Sequence, residues 1–126
     1  MRVLNTVIKS KRVSIVNNNL TGNFQLFPIF TKQLEKVDQN SYEITLTFSV
    51  NSTSEKPFPL DVSISMSGLF TFEENTPEVE MENFMNLPVV QIVFPHLRAL
   101  VSSITASCYV QPLLLPLVDP RVFMNV

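Results

Sequence analysis

A chain of 126 residues with 45% hydrophobic and 16% charged residues fits one domain, residues 1–126, with less charge than is usual at this size. A net charge of −2 excludes the basic excess that neutralises phosphates, so nucleic acid is not an expected partner. The one cysteine excludes an intrachain disulfide and suits a reducing compartment.

Ten Phe and nine Pro with no Trp make a small domain too apolar to hide its surface alone. A homo-oligomer, an apolar client surface, or both are expected. Charges and asparagines run through Met1 to Asn19, which argues against a signal peptide. No stretch anywhere is expected to approach the ~20 residues of a membrane span. A cytoplasmic protein without membrane insertion is the expectation.

Arg2 to Val16 reads as a first strand. Val3, Val7, Val13 and Ile15 share one parity, while Leu4 and Ile8 take the other. The apolar side switches near Lys9 to Arg12, which predicts a bulge or an irregular edge. The basic cluster of Lys9, Lys11 and Arg12 suits edge protection, with an acidic partner as the alternative. Asn17 to Asn23 is rich in turn formers and opens a loop that becomes apolar at Phe24, Leu26, Phe27, Ile29 and Phe30. These residues either pin the loop onto the core or form one wall of a groove for apolar peptide.

Thr31 to Val37 is a short second strand, closed by a turn at Asp38 to Asn40. Tyr42, Ile44, Leu46, Phe48 and Val50 then alternate with polar residues. After Asn51 to Pro57 the alternation resumes at Phe58 and runs to Phe72. Such period-two patterns predict antiparallel strands with one buried face. Gly68 interrupts the apolar parity, where another element can approach closely. The opposite faces are rich in Ser and Thr, which suits either another subunit or light solvation. Thr76 and Pro77 stand where an N-cap and first helical residue would, ahead of an acidic helix whose apolar side carries Met81, Phe84 and Met85.

Pro88 to Cys108 reads as one long helix. Val90, Val93, Phe94, Leu97, Leu100, Val101, Ile104 and Cys108 form its apolar face, and Gln91, Arg98, Ser102 and Thr105 a narrow polar stripe. Ile92, His96, Ala99, Ser103 and Ala106 form a third stripe of mostly small residues, among which Ala99, Ser103 and Ala106 suit a helix-to-helix contact between subunits. Pro95 either bends the helix or begins its regular part. Arg98 suits an ion pair or an interface. Tyr109 to Val118 is an extended apolar strap, since Pro112 and Pro116 forbid a regular helix. A short helix, Pro120 to Asn125, is expected after Asp119. The fold class is α+β: a four-stranded antiparallel sheet, one long helix on one face and a short C-terminal helix.

Catalytic chemistry is not supported. The chain has one His, one Cys and two Gly, so a phosphate loop or a two-His zinc site is out of reach. His96 and Cys108 lie at least three helical turns apart and cannot pair within one subunit. No enzyme activity, no metal and no cofactor are expected.

Ile92-Val93-Phe94-Pro95-His96-Leu97-Arg98, followed by Ser102-Ser103-Ile104-Thr105, resembles the long-helix signature of the SecB protein-export chaperones. Gly68-Leu69-Phe70 and Phe123-Met124-Asn125 fit the same family in order. The resemblance implies strand order 1-4-3-2 with a crossover after the first strand. It implies an ATP-independent holdase that assembles as a dimer or tetramer and binds unfolded or nascent polypeptides. Phe24, Leu26, Phe27, Ile29 and Phe30 would form one groove wall, and Leu113, Leu114, Leu115 and Phe123 the other. It also implies an export motor ATPase as partner, engaged through an acidic sheet surface; here Asp61 is the only acid on the outward face of Phe58 to Phe72. A chaperone dedicated to one partner, such as an antitoxin or a prophage protein, is the alternative within the class. A structural homo-oligomer or a small-molecule carrier are the alternatives outside it.

Overall fold

The alternating strands pair as their pattern predicts, and the sheet they make sets the position of everything else. The computed structural model describes residues 1–108 and 110–126. The elements are β1 (Val3–Asn17), β2 (Ile29–Asp38), β3 (Ser41–Val50), β4 (Leu60–Phe72), α1 (Glu78–Asn86), α2 (Pro88–Ser107), a 3-10 turn at Pro120–Val122 and β5 (Met124–Asn125). The sheet order is β1-β4-β3-β2-β5. The inner part is the expected 1-4-3-2, with every pair antiparallel. Tyr109, read as the first residue after the helix, lies outside the described residues.

β3 and β4 hold the core because alternate residues of both point to one face. Ile44, Leu46, Phe48, Ile64, Phe70 and Phe72 are all buried there. α2 covers that face with Val89, Val90, Val93, Phe94, Leu97 and Val101. Gly68 is the point of closest approach. A Cβ placed on it would stand 2.8 Å from Phe70 Cε2, 3.0 Å from Val93 Cγ2 of α2 and 3.2 Å from Ile8 Cδ1 of β1. The missing side chain therefore lets the helix and the edge strand meet over β4.

The bulge falls where the parity switches. The β1–β4 register shifts between Ser10 and Arg12, so Lys11 is the extra residue. Its ammonium reaches Glu43 of β3 at 3.2 Å, crossing β4 on the face away from α2. Ser67 of β4 is fully buried there and donates to the Lys9 carbonyl at 3.5 Å. Thr47 and Ser65 bond each other at 2.8 Å. The Ser/Thr face is thus closed in part by its own hydroxyls and by the bulged strand.

Several expectations need correction. The last helix, expected over Pro120 to Asn125, is a single 3-10 turn followed by β5, which pairs parallel with Thr31 and Lys32 of β2. A fifth, parallel strand of two residues has no periodicity to betray it. The fourth strand begins at Leu60 rather than Phe58, because Pro57 and Pro59 cannot donate to a ladder. Thr76 is not an N-cap: its hydroxyl donates to the Glu73 carbonyl, and Pro77 precedes the helix. α2 runs unbroken through Pro95, which sits on its exposed side where the freed carbonyl can meet water.

The buried face of α2 ends on Thr105 rather than on Ile104 and Cys108; Cys108 is exposed. Contrary to expectation, α2 is long and apolar enough by length and composition to cross a membrane. Its apolar side packs on the sheet instead.

Gly68→Ala should destabilise the fold by about 1–3 kcal/mol through overpacking at Val93 and Ile8. Urea denaturation checks this, and a midpoint equal to that of the unaltered protein would contradict the close approach.

Candidate client-binding groove

The crossover from β1 to β2 and the strap after α2 meet along one side of the domain. Asn19 takes a left-handed conformation (φ 55°) that turns the chain out of β1. The Asn18 backbone N–H donates to the Pro59 carbonyl at 2.8 Å, and its amide group to the Phe58 carbonyl and to Asp61 Oδ1, both at 3.2 Å. Asp61 Oδ1 also accepts the Ser52 N–H at 2.7 Å, and Ser52 Oγ accepts the Phe58 N–H at 3.0 Å. One carboxylate and one amide therefore fix the loop before β4 against the start of the crossover.

Beside this staple lies a groove of about 710 Å³. Leu20, Phe24 and Leu26 of the crossover line it on one side, and Val110, Leu113 and Leu114 of the strap on the other. The buried Phe58 and Leu60 lie at its base. Its polar lining is Asn17, Thr21, Asn23 and Gln111, and none of its lining residues is charged. An uncharged channel with a lining half apolar and half polar suits extended polypeptide, side chains and backbone alike, without selecting for its charge.

Phe24, Leu26, Leu113 and Leu114 are the expected wall residues that the structure brings together. The others go elsewhere. Phe30 and Phe123 are buried with ring centroids 5.1 Å apart, and both stand near Phe94, at 6.1 and 5.7 Å. Leu115 is fully buried in the core. Phe27 and Ile29 are exposed outside the groove, with Lys56 Nζ 4.8 Å above the Phe27 ring. Sequence reasoning missed Leu20, Phe58, Pro59, Val110 and Gln111. The two prolines around Phe58 are the signal that could have placed that residue in a loop.

Ala99, Ser103 and Ala106 are exposed along α2, as are Ile92 and His96. Arg98 makes no ion pair among the described residues; its Nε donates to the Leu115 carbonyl. At the strap's far end Asp119 Oδ1 accepts the Arg121 N–H at 2.9 Å, capping the 3-10 turn. The Arg121 guanidinium, and then this N–H, hold the Asp119 carboxyl down at about 2. No group of three or more His, Cys, Asp or Glu side chains that could hold a metal ion occurs among the described residues.

The family model described as preprotein translocase subunit SecB matches residues 17–124. The chain belongs to the SecB family. Among curated relatives, the protein-export protein SecB of Anaplasma marginale (strain Florida) is 26% identical over 92 residues, covering 73% of this chain and 53% of that protein. SecB of Azoarcus sp. (strain BH72) is 34% identical over 80 residues, covering 63% and 52%. The chain spans about half the length of these relatives. Among solved structures, a Mycobacterium tuberculosis SecB-like chaperone in complex with a ChAD peptide from an antitoxin superposes with a TM-score of 0.66. That match covers 94% of this chain and 87% of the other at 11% identity, a likeness of fold.

Asp61→Ala should cost about 1–3 kcal/mol, because two donors lose a charged acceptor. Faster amide exchange at Ser52 and Phe58 should accompany it. Unchanged exchange there would remove Asp61 from the staple.

Proposed function

We propose that this SecB-family chain is an ATP-independent holdase that keeps unfolded or nascent polypeptide soluble by binding it in the groove. The observation that carries this reading is the convergence of Phe24 and Leu26 with Leu113 and Leu114 across an uncharged channel. Binding of this kind needs no reacting group. It needs apolar contact for affinity and tolerance of many sequences, with repeated weak sites adding avidity. The apolar side chains and the absence of charge in the groove support this reading, and the family supplies the chaperone class.

A second reading is favoured by the sheet surface. Asp61 is spent on Asn18 and Ser52, and Glu43 on Lys11. Glu35, opposite Glu43, is left without an ion pair on this face among the described residues, too little for an acidic docking surface, so a chaperone dedicated to one partner is the narrower proposal. The fold neighbour bound to an antitoxin peptide is in keeping with it. We also propose that the exposed stripe of Ala99, Ser103 and Ala106 meets the same helix of a second copy, since small side chains allow close helix packing.

Suppression of aggregation of a slowly refolding, unrelated protein tests the general reading. Phe24→Asp should weaken client binding at least tenfold, as expected from losing about 1.5–3 kcal/mol of aromatic burial. Phe27→Asp, outside the groove, should leave it within twofold. Equal effects from both would sink the assignment of the groove. A well-folded protein that neither suppresses aggregation nor retains a partner from its own host would leave a structural oligomer.

Ala99→Trp should shift the light-scattering mass towards the monomer, because overpacking a close contact costs about 1–3 kcal/mol per site. An unchanged mass would exclude that stripe from the interface.

A further inference from the structure

The polar stripe of α2 repeats every seven residues, at Gln91, Arg98 and Thr105. Seven residues are close to two helical turns, so the three side chains share one side. That side faces the strap. Thr105 is fully buried near the end of an apolar helix. Its hydroxyl proton is used within the helix, on the Val101 carbonyl at 2.8 Å with the Ser102 carbonyl at 3.1 Å. A hydroxyl keeps acceptor capacity when its proton is used, and here it accepts the Leu113 N–H at 2.9 Å. Two turns earlier, Arg98 Nε donates to the Leu115 carbonyl.

These bonds reach strap residues that lie two apart, in the reverse order to their partners on the helix. The strap therefore runs antiparallel to α2 and nearly extended. Alternate side chains of an extended segment take opposite sides, which matches what is found. Leu115 is buried in the core and Leu113 is half-buried at the groove, while Leu114 between them is 77% exposed. Pro112 and Pro116 bracket the segment and have no N–H to give. Among the described residues, the two bonds from Thr105 and Arg98 are the only hydrogen bonds that hold residues 110–118.

We propose that Thr105 and Arg98 are positioning residues for the client groove. They set where the strap wall stands and keep Leu113 and Leu114 in register with Phe24 and Leu26. The proposal rests on the reading of the groove as the client site. It goes further in making that site depend on two helix side chains of which Thr105 never reaches a client. The strap has no ladder of its own, so releasing either bond lets the wall drift while the sheet stays intact.

The test uses the full chain, with reduced and carboxymethylated α-lactalbumin as the unfolded probe. Thr105→Val keeps the branched shape and removes the acceptor. Leu113 amide exchange should rise at least tenfold, and affinity for the probe should fall about tenfold. Thr105→Ser should restore both, while the amides of β3 and β4 stay protected in every variant. Arg98→Met, on the exposed side of the helix, provides a second variant should Thr105→Val fold poorly, and it should weaken the probe similarly. Because both residues hold one segment, the double variant should lose less than the product of the two single losses.

Faster Leu113 exchange with unchanged probe affinity would overturn the positioning role, as would exchange that rises equally across the sheet. Absence of probe binding by the unaltered protein, together with no partner retained from its own host, would instead overturn the reading of the groove itself. These results are distinguishable, since the exchange measurement needs no client.

Discussion

The approach of α2 to β4 over Gly68 is the constraint from which the rest of the molecule follows. β4 is paired on both sides, with β1 and with β3, so it cannot move to relieve a clash. Val93 and Ile8 both occupy space that a side chain at position 68 would claim. The helix is thereby fixed in depth and in rotation. With Val93 and Leu97 turned to the sheet, the small stripe is left facing outward and the polar stripe faces sideways. The strap can only lie along that side.

A second constraint acts at the other end of the sheet. β2 would be an open edge, but β5 pairs with Thr31 and Lys32, and the Val126 N–H donates to the Lys32 carbonyl at 3.0 Å. Lys32 itself is nearly buried, and its ammonium donates to the Asn86 carbonyl at 2.6 Å. A cation at the end of a helix meets carbonyls that the helix cannot satisfy. One lysine thus joins the junction of α1 and α2 to the same stretch of β2 that receives the chain's last residues. Phe123 enters between Phe30 and Phe94 as part of this closure, so it is buried away from Phe24 and Leu26 and borders instead a smaller cavity of about 280 Å³ between α2 and the end of the strap.

Much of this was legible in the residues. The alternation of Tyr42 to Val50 and of Leu60 to Phe72 determines two strands and their buried face. Lys9 to Arg12 marks the bulge, and Gly68 the close approach. What was not legible depends on long-range closure. Phe24 and Phe30 are alike in type and close in sequence, yet one lines a groove and the other is buried in an aromatic cluster. The difference is made by β5 and the strap, which arrive from the far end of the chain. Thr105 is the reverse case. Its polarity places it in the narrow polar stripe of the helix, and the strap covering it makes it a buried acceptor.

The bulge at Lys11 has a consequence beyond the edge strand. An extra residue in one strand redirects the side chains that follow it, and here it sends a lysine across β4 to Glu43. The pair is partly exposed, so its contribution to stability is small. Its effect on the surface is larger. It takes up Glu43 beside the hydroxyl pair of Thr47 and Ser65, while Glu35 opposite it keeps its charge free of any ion pair among the described residues. Large exposed apolar side chains stand on both sides of the sheet, at Val7, Val16 and Ile29 on the Ser/Thr side and at Leu114, Leu117 and Ile92 on the helical side. What sets the helical side apart is shape: there the strap and the crossover bound a channel, and the Ser/Thr side presents its apolar residues singly.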